Sequence, residues 1–271
     1  MKSYQDILKH ILSNGEVHND RTGVGTISSF GYQFRHNMQE GFPLVTTKRM
    51  TFKGVYDELV WFYSGSTNVF DLPKHIQHWW TPFADDSGEL GHTYGKNLRA
   101  FPTFGGQVDQ LKCLFDDLGN NSQSRRLIMS TWNAGTVREL TLPSCHGLVI
   151  QFKCYDDGRL SLSTYQRSAD AACGIPVNIA HYGLLLEMVA ACTNRVAHEL
   201  IYTFGDLHIY SNHIELMKEQ VELPEFDLPT LEVHANPDLP SSLSKFKGIG
   251  YGDLELTNYV CHPAIKTPMA V

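Results

Sequence analysis

The chain has few cysteines and spaces them widely. There are six in 271 residues, at Cys113, Cys145, Cys154, Cys173, Cys192 and Cys261, and no CxxC pair. That excludes a small disulfide-stapled scaffold and points to a reduced, intracellular protein, expected in the cytoplasm. Basic residues are also short, 22 Lys and Arg against 29 Asp and Glu, giving a formal net charge of -7. A protein that coats nucleic acid needs clustered cations, so such a role is disfavoured. A small anionic ligand needs only a few placed arginines and stays open. No Walker-type or GxGxxG loop occurs, which leaves a nucleoside triphosphate or dinucleotide site without support. No apolar run is read as membrane-spanning. The start, Met1-Lys2-Ser3-Tyr4-Gln5-Asp6, lacks an apolar h-region, so no secretion signal is expected. Internal repeats, low-complexity linkers and breaks in composition are missing too, and one α+β domain over 1–271 is the expectation.

What is present suits a globular core, with 42% hydrophobic and 19% charged residues. Tyr4, Ile7, Leu8, Ile11 and Leu12 share one helical face, and Gly15 stops it. Residues 25–35 alternate and read as a strand. Apolar helices are expected over 53–64, with Glu58 inside the run, and over 176–192. An amphipathic helix is expected over 106–117. Leu127-Ile128-Met129 begins a strand. Leu148–Phe152 and Leu160–Tyr165 flank Tyr155-Asp156-Asp157-Gly158, a hairpin signal because Asp-Gly accepts positive φ. Glu199–Phe204 reads as a further strand, and 235–243 as a surface loop.

Several residues carry possible chemistry, each with a plainer reading. Cys145, in Leu142-Pro143-Ser144-Cys145-His146 at the edge of a strand, is a nucleophile or a small core residue. A nucleophilic thiolate needs nearby positive charge. Arg21, Arg125, Arg126 and Arg167, the last beside Ser168, are suited to bidentate phosphate capture or to surface ion pairs. Asn178 sits at the start of an apolar helix. Its amide offers a donor and an acceptor to the edge of a base, or a helix cap. Glu58 is a proton relay if buried and otherwise marks a polar face. His208 and His213 lie five apart in the polar stretch 205–213, a spacing unlike that of zinc helices. Sugar binding by His208 and Tyr210, or an ordinary polar loop, are the other readings.

Nine ordered segments together resemble the thymidylate synthase family over nearly the whole chain. They are Asn19–Gly23, Gly41–Arg49, Glu58–Phe62, Tyr94-Gly95-Lys96, Ser124-Arg125-Arg126, Pro143–His146, Tyr165–Asp170, Gly205–Tyr210 and the end Pro268–Val271. The resemblance implies a mixed β-sheet backed by helices and a homodimer joined sheet to sheet. It implies that Arg21, Arg167 and Ser168 hold the phosphate of dUMP, with Arg125 and Arg126 donated by the other subunit. His208 and Tyr210 would hold the ribose. Asn178 would select uracil, where relatives acting on cytosine carry Asp. Cys145 would add to C6, and Glu58 would relay protons with Tyr94 and His146. Asp170 would bond the pterin of 5,10-methylenetetrahydrofolate, the cosubstrate; no metal is implied. Trp79, Trp80, Leu142, Gly174, Val177 and Ala270 would wall the folate, and Lys48 and Arg49 would meet its glutamate tail.

Departures from the family pattern cluster on the folate side. Ala171-Ala172-Cys173 stands where a bulky apolar run is common. Val177 replaces a usual Phe, His181 a usual Ser, and His92-Thr93 precede Tyr94 where Pro-Val is common. Smaller or more polar groups there would favour water over hydride at the last step, giving 5-hydroxymethyl-dUMP rather than dTMP. Trp80 and the intact tail argue for a sealed pocket and for methylation. Two remoter readings are a nucleic-acid-binding regulator and a cysteine hydrolase built on Cys145, His208 and Asp206.

Overall fold

The computed structural model describes residues 2–20 and 22–268. In chain order its elements are α1 (Lys2–Asn14), β1 (Glu16–His18), β2 (Thr26–Asn37), α2 (Phe52–Ser64), α3 (Lys74–Gln77), α4 (Tyr94–Arg99), β3 (Phe101–Thr103), β4 (Gly106–Val108), α5 (Gln110–Asn120), β5 (Ile128–Met129), β6 (Val149–Cys154), β7 (Arg159–Asp170), α6 (Gly174–Cys192), β8 (Val196–Tyr210), α7 (Ile214–Val221), β9 (Thr230–Val233), α8 (Ser242–Gly248) and β10 (Leu254–Thr257). Six strands form one sheet in the order β1-β2-β8-β7-β6-β5. β7 and β8 run parallel, and the other neighbours are antiparallel, so the sheet is mixed. The parallel pair requires a crossover, and α6 is that crossover.

Helix α6 organises the core. Apolar side chains surround it on every side, and 15 of its 19 residues are buried, the pattern of a helix enclosed by protein. It packs on β7, β8 and α2. Its length and composition would suffice to cross a membrane, which the sequence reading overlooked; 83% of the stretch is buried inside the fold. Helix α2 is bounded by Thr51, whose hydroxyl accepts from the Gly54 amide, and by Gly65 at φ 93.

Two expectations shift. The helix expected from 106 starts at 110, because the Asp109 carboxylate caps the Lys112 amide and leaves 106–108 to pair with β3. The strand expected over 199–204 runs on to Tyr210, taking in residues that read as a polar loop. Both edges of β8 are paired, to β2 and β7. Gly205 does not break it; a Cβ there would lie 2.6 Å from Tyr165 Oη. The β6–β7 hairpin turns at Gly158, φ 86, as Asp-Gly suggested. Residues 242–248, largely beyond the predicted surface loop, form α8.

One sheet face packs against helices through Phe152, Leu162, Tyr202, Phe204 and Phe34. The opposite face is open. Ile128, Val149, Gln33 and Arg35 are exposed there, with Thr203 and Tyr165 half-buried between them.

Two buried histidines make stability pH-dependent. Burial holds both His36 and His146 below the ordinary imidazole value, His146 far below. Both are neutral when folded, while the unfolded chain takes up protons below about pH 6.5. Stability therefore falls as pH drops below that point, by up to about 1.4 kcal/mol per pH unit per histidine until the folded groups titrate. Urea midpoints at decreasing pH should show this decline. His36→Gln, which keeps a donor for Gly41 O, should flatten it.

Candidate active site

Cys145 lies on the segment entering β6, and β7 fixes it. The Arg167 amide donates to Cys145 O at 2.7 Å, and Arg167 Nη2 lies 3.6 Å from Sγ. The same guanidinium donates to Pro143 O and Ser144 O. On the other side the Cys145 amide donates to Tyr94 Oη at 2.7 Å, and the His146 amide reaches the same oxygen at 3.5 Å. His146 Nδ1 pairs with Tyr182 Oη at 2.8 Å. Gly147 makes that approach possible. Its φ is 61, and a Cβ would fall 2.1 Å from Tyr182 Oη.

The electrostatics of the sulfur are set by burial and its near neighbours. Burial pushes the Cys145 thiol up, while Arg167 and the hydrogen bond with Tyr94 pull it back without winning. Among the described residues Arg167 is the one cation that touches the sulfur. Arg125 and Arg126 are exposed just before β5, with no hydrogen bond or ion pair to Cys145. Arg21 lies outside the described residues; the Asp20 carboxylate accepts from Thr22 and Gly25.

Phe62 on α2 links this cysteine to a buried acid. Its ring stacks on Tyr94 at 4.3 Å and contacts Trp80, His146 and His181. Glu58, one turn earlier, is buried, and Oε1 accepts from Trp80 Nε1 at 2.9 Å.

Strands β7 and β8 place a polar row beside the cysteine. Ser168 stands opposite Asp206, and Asp170 opposite His208. His208 Nδ1 pairs with Asp206 Oδ1 at 2.9 Å, which holds the Asp206 carboxyl below its ordinary value. No hydrogen bond joins this pair to Cys145 among the described residues, so the hydrolase triad does not assemble. Asn178, in the first turns of α6, donates Nδ2 to Gln166 Oε1 at 3.3 Å; Tyr202 Oη donates to the same oxygen at 2.8 Å.

The start of α6 forms the other wall. Asp170 Oδ1 accepts from the Ala172 and Cys173 amides. Leu142, Cys173, Gly174, Val177 and Trp79 are half-buried, while Trp80 is buried. Lys48 differs from expectation: its ammonium is buried and donates to Ala172 O at 2.6 Å. Arg49 is exposed. Cys173 Sγ donates to Thr267 O at 3.2 Å, bringing the chain just before the C-terminus onto this wall. Ala270 lies outside the described residues. The pairing of His208 with His213 gives way to a different grouping: a His213 ring nitrogen lies within 4.8 Å of ligand atoms of Asp170 and Cys173. Lys48 interacts electrostatically with both Asp170 and Cys173.

Phe62, Gln166, Tyr182 and Tyr202 were missed by sequence reasoning. Each reads locally as core, and only burial beside polar atoms reveals it. The mixed sheet thus seats one cysteine against an arginine, with a buried acid joined to it through an aromatic hub. The chain belongs to the thymidylate synthase family: the family model described as thymidylate synthase matches residues 2–271. That family comprises folate-dependent enzymes that transfer a one-carbon unit to dUMP, with methylenetetrahydrofolate as cosubstrate.

Proposed function

We propose that this chain transfers a one-carbon unit to C5 of dUMP through a covalent Cys145–C6 adduct and completes the transfer as a methyl group, giving dTMP and dihydrofolate. The observation that carries the reading is Cys145 Sγ at 3.6 Å from the Arg167 guanidinium, in a segment pinned on both sides. Addition of the sulfur to C6 makes C5 a carbon nucleophile and divides a hard substitution into easier steps. Arg167 and Ser168 bind the phosphate with Arg21. Arg125 and Arg126 join them from a second subunit across the open sheet face, whose exposed Ile128 and Val149 support a homodimer. These four arginines offset the dianionic phosphate and favour a thiolate at Cys145. His208, held by Asp206, and Tyr210 take the ribose. Asn178 reads the uracil edge. Glu58 relays protons, with Tyr94 and His146 fixing the cysteine loop.

The start of α6 fits the reduced folate. Half-buried Leu142, Val177, Trp79 and Cys173 form an apolar wall that they do not close among themselves, and Asp170 stands beside it as the polar anchor. Arg49 remains the group for the glutamate tail; Lys48 acts on it only after leaving Ala172 O. When bound, the folate supplies the carbon and the hydride. Trp80, tied to Glu58, and the Cys173–Thr267 contact support a closed pocket and exclusion of water at that step. The second reading, 5-hydroxymethyl-dUMP with tetrahydrofolate, is favoured by the polar His181 against Glu58.

Mass analysis of the product from dUMP and methylenetetrahydrofolate separates the two. A methyl product with dihydrofolate is expected; a hydroxymethyl product with tetrahydrofolate overturns the methylation step alone.

A further inference from the structure

Glu58 is 4% exposed, and its two oxygens are treated unequally. Oε1 accepts from Trp80 Nε1. Oε2 has no hydrogen-bond partner among the described residues, and neither has His181 Nδ1, which lies 3.3 Å from it. The distance is that of an ion pair, although the alignment falls outside that of a hydrogen bond. His181 is 1% exposed. Two orphaned, ionisable atoms facing each other inside a fold are costly unless they share a proton.

The surroundings leave that proton no other holder. Tyr94 of α4, Tyr182 of α6 and Tyr202 of β8 face the pair; burial raises all three well above their ordinary range, so they stay neutral. His146, from the segment before β6, has its ring 5.8 Å from His181, and burial together with His181 keeps it neutral. Among the described residues no lysine or arginine forms an ion pair with Glu58.

We propose that Glu58 and His181 hold one proton between Oε2 and Nδ1, with His181 the positioning residue that orients the carboxylate and replenishes its proton. This rests on the reading of Glu58 as the relay above. As Cys145 adds to C6, the shared proton leaves Nδ1 for the Glu58 carboxyl and passes on toward the pyrimidine carbonyl, leaving a carboxylate facing a neutral imidazole. When the carbonyl re-forms, the proton returns by the same path, so charge and atoms balance over the step.

The test compares wild type, His181→Asn, His181→Ser and Glu58→Gln in the full-length enzyme. Tritium release from C5-labelled dUMP with methylenetetrahydrofolate gives the rates. The expected result is a kcat about 10- to 100-fold lower in both histidine variants, within the span of general acid–base effects, with dUMP affinity unchanged. The acid limb of the kcat profile should move up by about one pH unit, because the carboxylate has lost its only facing cation. Combining His181→Asn with Glu58→Gln should add little further loss. An unshifted limb or fully additive losses would overturn the dyad. Nitrogen-15 NMR of the wild type gives a reading independent of any variant: a His181 Nδ1 proton that is lost in Glu58→Gln supports it, and an unchanged resonance refutes it. If wild type itself releases no tritium, the relay reading fails first and the dyad with it.

Discussion

Cys145→Ser should lower dUMP turnover by at least about 10⁴-fold, on the scale seen when a covalent nucleophile is removed. The fold should survive. The side chain is small and half-buried, and the contacts that fix residue 145 run through its backbone: its amide to Tyr94 Oη and its carbonyl from the Arg167 amide. Affinity for dUMP should therefore persist while the adduct is lost, and equilibrium binding alongside mass spectrometry of the trapped complex checks both. A hydroxyl at the same place is a far weaker nucleophile at neutral pH. The wild-type sulfur has a raised pKa, because burial outweighs the guanidinium of Arg167 and the hydrogen bond with Tyr94. Alkylation of Cys145 by iodoacetamide should accordingly be slow at neutral pH and rise as pH increases. Wild-type turnover by the serine variant would remove the covalent step from the mechanism.

The elements with strong local signals were readable. Helix α1, strand β2, helix α2, the β6–β7 hairpin and helix α6 each follow from spacing and from turn residues such as Gly158. What was not readable depended on neighbours. Strand β8 continues through Gly205 and Asp206 because β2 and β7 bond it on both edges, and no window of sequence carries that. Site residues divide in the same way. Cys145, Arg167 and Tyr94 sit in motifs and prove to touch. Phe62, Gln166 and Tyr202 gain meaning only from what they face, and Lys48, legible as a cation, spends its charge on Ala172 O. Arg125 and Arg126 show the remaining gap: a single chain leaves them exposed, so their role is a property of the proposed dimer.

The base preference of the site should turn on Asn178, and the structure shows why the change will not be clean. Asn178→Asp should cut kcat/KM for dUMP by roughly 10²- to 10³-fold and raise the ratio of dCMP to dUMP turnover, since a site built to bond one edge rejects the wrong one strongly. The asparagine is not free to be replaced, however. Its Nδ2 donates to Gln166 Oε1, an oxygen already held by Tyr202 Oη, while Gln166 Nε2 donates to Ser168 O. A carboxylate at 178 would face that oxygen with no proton between them. Either the Gln166 amide turns over and gives up Ser168 O, or the new acid must take up a proton before it can donate to N3 and accept from the 4-amino group of cytosine. The single variant should therefore bind dCMP more weakly than uracil binds the native site. Asn178→Asp with Gln166→Glu should be worse still, because two acids then compete for one proton. Asn178→Asp with Tyr202→Phe should recover part of the loss, since Gln166 can then rotate without breaking the tyrosine bond. Competition assays with mixed dUMP and dCMP measure each ratio directly. An unchanged ratio in the single variant would show that some other group reads the base.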